Sequence, residues 1–88
     1  MVGERKQTDF RVDSKSRQLW ETFEIKLRNH KEEAVKVAVL ENLYRSANWT
    51  IENVSQKFSK ENSNRIRFDV EVASEAEAVV RYTAHYTW

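Results

Sequence analysis

The strongest pattern in the chain is an alternation of apolar and polar side chains near its end. The apolar parity is occupied by Val80, Tyr82, Ala84, Tyr86 and Trp88. Arginine, threonine and histidine fill most of the positions between them. Successive side chains of a strand point to opposite faces, so the alternation predicts a long strand over 78–88 with one buried face. Because a strand of this length needs neighbours, we expect it to lie inside a sheet.

The same period predicts five further strands. Their expected bounds are 7–13, 18–29, 34–42, 48–54 and 65–72. A helix over 31–44 is the alternative for the third strand, but three valines on strict alternation favour a strand. Residues 1–5 read as a frayed terminus, and the polar run Ser59–Asn64 as a mobile loop. Trp20 breaks the alternation of its strand, which indicates a bulge near Trp20–Thr22, or otherwise a ring on the outer surface or under a loop.

We expect the last two strands to form an antiparallel hairpin. The expected pairs are Phe68 with Tyr82, Val70 with Val80, and Asp69 with Arg81. The final strand would then lie between the strands at 65–72 and 18–29. The strands at 34–42 and 48–54 would form a second sheet. The predicted core consists of Phe23, Ile25, Leu27, Val37, Val39, Trp49, Phe68, Val70, Val80, Tyr82 and Tyr86.

Together these strands favour one all-β domain over residues 1–88, an immunoglobulin-like sandwich of two mainly antiparallel sheets. A closed barrel is the alternative. The chain has a single glycine and no proline, although both usually mark turns in β proteins. We therefore expect asparagine, aspartate, serine and charged residues to form the turns, some in the left-handed conformation.

The order of the motifs resembles a known family. Phe23-x-Ile25-x-Leu27-x-Asn29, Val35-x-Val37-x-Val39, Trp49-x-Ile51, Phe68-x-Val70-x-Val72 and Tyr82-x-x-x-Tyr86-x-Trp88 occur in this order. They resemble the C-terminal part of a bacterial domain of unknown function that is found in mucoidy-inhibitor-like proteins. The resemblance implies a C-terminal fragment of a longer bacterial protein, with the cell envelope as its expected location. It implies no catalytic residue.

Composition and charge weigh against several classes of function. There is no cysteine, and the net charge of +1 creates no field that would attract nucleic acid or an anionic membrane. No apolar run reaches the roughly 20 residues of a membrane helix, so we expect no membrane insertion. His30 and His85 are too few for a zinc site. No serine lies in a glycine-rich elbow, and we expect neither an enzyme nor a cofactor.

We expect a structural or protein-interaction module that contacts other domains of its parent protein or another protein. Its sheet edges could accept a strand, and the isolated domain should be a monomer. A carbohydrate or cell-wall binding module is the alternative, because Trp20 and Trp49 could stack on sugars if both are exposed. A single-stranded nucleic-acid binding barrel comes third, since Arg65, Arg67 and Arg81 should share one face of the hairpin. The candidate contact residues are Trp20, Arg67 and Arg81.

Overall fold

The protein folds into two antiparallel sheets around one hydrophobic core, as seen in a computed structural model that describes residues 2–88. The strands are β1 (Val2–Asp13), β2 (Gln18–Arg28), β3 (Val35–Asn42), β4 (Asn48–Glu52), β5 (Ser59–Asn62), β6 (Arg65–Val72) and β7 (Glu77–Thr87). One sheet has the order β1-β2-β7-β4 and the other β3-β6-β5. The prediction of an all-β, two-sheet sandwich is confirmed. Over residues 2–88 no helix is long and apolar enough to cross a membrane.

The predicted hairpin of the last two strands is wrong. β6 pairs with β3 and β5, whereas β7 lies between β2 and β4 in the other sheet. Arg81 is opposite Glu24, and Asp69 is opposite Ala38. Phe68 and Tyr82 do meet, but across the core, with ring centroids 5.7 Å apart. The prediction that both side chains face the core is confirmed. Two core-facing side chains can meet across facing sheets as well as on neighbouring strands.

Three other local predictions are corrected. β4 belongs to the sheet of β7 and not to that of β3. The first strand extends back to Val2, so residues 2–5 are paired with β2 and are not frayed. Most of the polar run Ser59–Asn64 forms β5 and the tight turn into β6. The third strand is β3, as expected, and not a helix.

The core follows the predicted parity, with additions. Its buried hydrophobic members are Leu19, Ile25, Leu27, Leu43, Ile66, Phe68, Val70, Val72, Val80, Tyr82, Ala84 and Tyr86. Four predicted core residues, Phe23, Val37, Val39 and Trp49, are only partly buried against it. Trp88 does not continue the core, because 52% of its surface is exposed.

Three non-glycine residues take the left-handed conformation, which replaces the glycines that such turns usually contain. Arg17, Asn53 and Glu75 have φ values of 55°, 49° and 51°. They lie in the β1–β2 turn, after β4, and in the β6–β7 connection. The expectation that asparagine and charged residues form the turns is confirmed, and each left-handed residue carries a local conformational cost.

The strand order departs from that of an immunoglobulin constant domain in one respect. That domain places its fifth strand between the second and fourth, and its seventh beside the sixth. Here the two are exchanged, because β7 lies between β2 and β4 and β5 lies beside β6. The four-plus-three arrangement is shared. The exchange leaves β1 as the outer strand of the larger sheet, with one neighbour among the described residues.

Candidate interaction surfaces

β1 is the longest of the edge strands and is exposed along its whole length. All 12 residues of β1 are exposed, and β1 pairs with β2 alone among the described strands. The other edge strands, β3, β4 and β5, have 8, 5 and 4 residues. An edge strand presents a row of backbone donors and acceptors to which another strand can pair. The Phe10 amide already donates to the Asp9 carboxylate at 2.9 Å, so part of this row is covered.

A bulge divides β1 into two halves. Gln7 is opposite Phe23 and Asp9 is opposite Thr22, so Thr8 is the extra residue. Such a bulge shifts the parity of a strand. Before the bulge the odd-numbered residues of β1 face the second sheet, and after it the even-numbered ones do.

The second sheet covers only part of the core-facing side of β1. Phe10 and Val12 are opposite Glu21 and Leu19, yet they remain 48% and 46% exposed. The Arg45 guanidinium lies 5.3 Å from the centre of the Phe10 ring. Two adjacent half-exposed apolar side chains on the longest edge therefore extend the core toward solvent.

A row of side chains crosses the outer face of the four-stranded sheet. Trp20 lies between Arg11 on β1 and His85 on β7, which are its neighbours in register. The Arg11 guanidinium is 4.2 Å from the centre of the Trp20 ring, and the His85 ring stacks on it at 4.7 Å with an interplanar angle of 3°. Glu52 on β4 completes the row, 2.9 Å from Nδ1 of His85. Both faces of the Trp20 ring are thus occupied.

Trp20 and Trp49 do not share a surface. Trp20 faces outward, whereas Trp49 packs against the core on the opposite side of the same sheet. The indole N–H of Trp49 donates to the Ser63 carbonyl at 2.9 Å. The platform of two tryptophans considered for sugar stacking is therefore not formed. β2 pairs with β7 without a bulge, so Trp20 faces outward and the irregularity lies in β1.

The candidate residues Trp20, Arg67 and Arg81 do not come together. Arg81 shares the outer face of Trp20 and binds Glu24 at 3.1 Å. Arg67 lies in the other sheet, on the opposite side of the sandwich, and binds Asp69 at 2.8 Å. The hydrogen bond from Arg81 lowers the pKa of the Glu24 carboxyl. The expected basic stripe of Arg65, Arg67 and Arg81 is wrong, because it depended on the hairpin.

Arg67 borders a shallow depression on the outer face of the three-stranded sheet. The depression has a volume of about 470 Å³ and includes Lys36, Asp69 and Glu71 in its lining. Both signs of charge alternate there, and Arg67 is paired with Asp69. This balance favours no class of small ligand.

Two glutamates that the sequence reading missed are buried on the core side. Glu41 accepts hydrogen bonds from the Tyr82 hydroxyl at 2.6 Å and from Nε of Arg5 at 2.8 Å. Glu21 accepts from Arg45 and, at 2.9 Å, from Gln7. Their places in the alternating pattern could have indicated that they face the core. Glu21 falls between Leu19 and Phe23, and Glu41 continues the parity of the β3 valines.

These carboxylates affect the neighbouring tyrosines. Burial, followed by the charge of Glu21, raises the pKa of Tyr86 to about 12. Burial, followed by the hydrogen bond to Glu41, raises the pKa of Tyr82 well above its usual value. Each carboxylate is held by an arginine from outside the core, so both act as structural anchors for β1 and the loop after β3.

Asn29 is a second buried polar anchor, at the opposite end of β2 from the turn with β1. Its side-chain amide donates to the carbonyls of Glu33, Val72 and Ala73 at 2.8–3.2 Å. Its side-chain oxygen accepts from the Lys31 amide at 2.9 Å. With 1% of its surface exposed, Asn29 joins the ends of the two sheets.

The histidines do not form a metal site. His30 is exposed in the loop after β2, and His85 is held by Trp20, Glu52 and Gln18. The His85 side chain is therefore only 19% exposed, although it lies on the outer face of its sheet. Among residues 2–88 no group of three or more potential ligands could hold a metal ion. No protein-family model, curated protein or solved structure matches this chain.

Proposed function

We propose that this chain is a non-enzymatic interaction module that binds a protein partner by adding a strand to the free edge of β1. The observation that carries the proposal is the length and exposure of this edge, which comprises 12 exposed residues. Backbone pairing along an edge supplies affinity, and the side chains beside it supply specificity.

The side chains of β1 support selective binding. Charged residues and bulges on an edge strand prevent indiscriminate pairing. β1 has both, with a bulge at Thr8 and six charged residues, Glu4, Arg5, Lys6, Asp9, Arg11 and Asp13. A partner strand therefore needs complementary charges on one face. On the other face it would meet the half-exposed Phe10 and Val12.

The carbohydrate alternative receives less support than strand addition. A sugar ring stacks on an open aromatic face, and both faces of the Trp20 ring are covered by Arg11 and His85.

The proposal includes the resemblance to the bacterial domain of unknown function and the assignment of an immunoglobulin-like module. The arrangement of four strands in one sheet and three in the other supports the immunoglobulin-like assignment.

A synthetic strand tests this function directly. The probe is a peptide of alternating valine and charged residues, whose charges oppose those of β1 in an antiparallel register. We expect shifts of amide resonances and slower hydrogen exchange along Val2–Asp13, with β3 and β4 unaffected. The matched control is the same peptide N-methylated at consecutive amides, which removes the donors from both of its edges so that it cannot pair. Binding at another edge, or equal binding of both peptides, would contradict the proposal.

A further inference from the structure

The charges of β1 are arranged so that the strand complements itself. A twofold axis perpendicular to a sheet places two copies of one edge antiparallel and keeps like faces together. Because the bulge reverses parity at Thr8, an axis between Gln7 and Thr8 pairs outer with outer and inner with inner residues along the whole strand. The outer pairs are Glu4 with Arg11 and Lys6 with Asp9, and the inner pairs are Gly3 with Val12 and Arg5 with Phe10.

We propose that the partner strand is β1 of a second copy of this chain, paired antiparallel about an axis between Gln7 and Thr8. This inference rests on the proposed strand addition to β1 and names its occupant. It gives a continuous sheet with the order β4-β7-β2-β1-β1-β2-β7-β4. It also replaces the monomer that we expected for the isolated domain.

Charge selects this register over its neighbours. Moving the axis one residue toward Met1 sets Glu4 against Asp9, and moving it one residue the other way sets Lys6 against Arg11. Like charges directly opposite on adjacent strands are destabilising. Moving the axis by half a residue, so that it passes through Gln7 or Thr8, sets outer residues against inner ones. The register that pairs all of Val2–Asp13 is also the one in which Glu4 and Lys6 both meet residues of opposite charge, Arg11 and Asp9.

The pairing would continue a pattern that already crosses the sheet. On the outer face Arg81 binds Glu24, and Glu24 is opposite Lys6. Asp9 of the second copy would extend this row with alternating sign. In the next row Lys26 is opposite Glu4, and Arg11 of the second copy would follow. The Asp9 carboxylate bonds the Phe10 amide through Oδ1, so its other oxygen can accept Lys6 of the second copy.

Reversing charges in complementary pairs tests the proposal. Lys6→Glu sets glutamate against Asp9 of the second copy, and Asp9→Lys sets lysine against Lys6. Each variant alone should self-associate at least about tenfold more weakly than the wild type, since two symmetric attractive pairs become repulsive. An equimolar mixture of the two variants should recover the wild-type affinity, because every outer pair in the mixed dimer is again opposite in sign. Sedimentation velocity over a concentration series measures these affinities.

The control variant is Lys36→Glu, which makes the same change of charge at an exposed position of β3. It should leave self-association unchanged. A wild-type protein that stays monomeric up to millimolar concentration would overturn the proposal. So would a mixture that associates no better than either variant alone. If the wild type is monomeric yet the valine peptide protects β1, strand addition stands and self-pairing fails. If neither occurs, both fail.

Discussion

The Tyr82 hydroxyl donates a 2.6 Å hydrogen bond to the Glu41 carboxylate, which joins the two sheets inside the core. Tyr82 is fully buried, and the Glu41 side chain is 7% exposed. Arg5 of β1 completes the arrangement at 2.8 Å and lies over the Phe23 ring at 4.0 Å. The longest edge strand is thus fastened to both sheets by one guanidinium group.

Arg5→Ala should destabilise the fold more than loss of an ordinary surface ion pair. The substitution leaves the Glu41 charge buried with the Tyr82 hydroxyl as its remaining partner. Removing one member of a buried pair costs about 3–5 kcal/mol, and we expect about 1–3 because Arg5 is about half exposed. Urea unfolding of both proteins measures the difference in the free energy of unfolding.

The matched control for Arg5→Ala is Arg28→Ala. Arg28 binds Glu77 at 3.0 Å, with side-chain exposures of 61% and 37%. A pair of this kind contributes about 0–1 kcal/mol. Equal losses in the two variants would mean that Glu41 is not an electrostatic anchor for β1.

Asn29→Asp should destabilise the fold, although it only replaces the side-chain amide by a carboxylate of nearly the same shape. The amide of Asn29 donates to three carbonyls, and a carboxylate would set a buried negative charge against them. We expect a loss of at least about 2 kcal/mol at pH 7. The control is Asn42→Asp, because Asn42 is exposed and uses its oxygen to accept from Arg65. Similar melting temperatures for both variants would contradict this account.

The faces of the strands could be predicted from the sequence, whereas their neighbours could not. Alternation is a local property, so Val80, Tyr82 and Tyr86 were correctly assigned to the core. The same parity does not say whether Phe68 lies beside Tyr82 or across from it. Pairing depends on which sheet each strand joins, and the sequence has no short turn that links β6 to β7 unambiguously. The candidate contact set failed for this reason, since Arg67 and Arg81 were placed on one hairpin.

The buried glutamates show a second limit of sequence reading. The alternation of their strands indicates that Glu21 and Glu41 face the core, whereas their charge indicates that they face solvent. Their compensating arginines are remote, since Arg45 is 24 residues from Glu21 and Arg5 is 36 residues from Glu41. A partner at such a distance along the chain leaves no local signal. Free sheet edges, by contrast, were expected in general, because every open sheet has outer strands.

Alkaline unfolding should reveal the buried tyrosines. The pKa of Tyr86 is raised to about 12, chiefly by burial, while an unfolded tyrosine ionises near about 10. The stability that depends on its neutral hydroxyl is therefore complete below about pH 10 and lost as the pH rises toward about 12. Tyr86→Phe should reduce this loss by at most about 1.4 kcal/mol per pH unit. Urea midpoints from pH 8 to 12 measure it, and parallel curves above pH 10 would contradict it.

Arg17→Gly should stabilise the protein, because Arg17 takes a φ of 55° in the β1–β2 turn. Glycine adopts this conformation without a steric penalty, whereas the same conformation costs other residues about 1–2 kcal/mol. The greater flexibility of glycine in the unfolded chain offsets part of this gain, so we expect a net increase of about 0.5–1 kcal/mol in the free energy of unfolding. Lys15→Gly is the matched control in the same turn, where φ is not left-handed, and it should destabilise slightly. A lower melting temperature for Arg17→Gly than for Lys15→Gly would show that the Arg17 side chain stabilises the turn by more than the strain it carries.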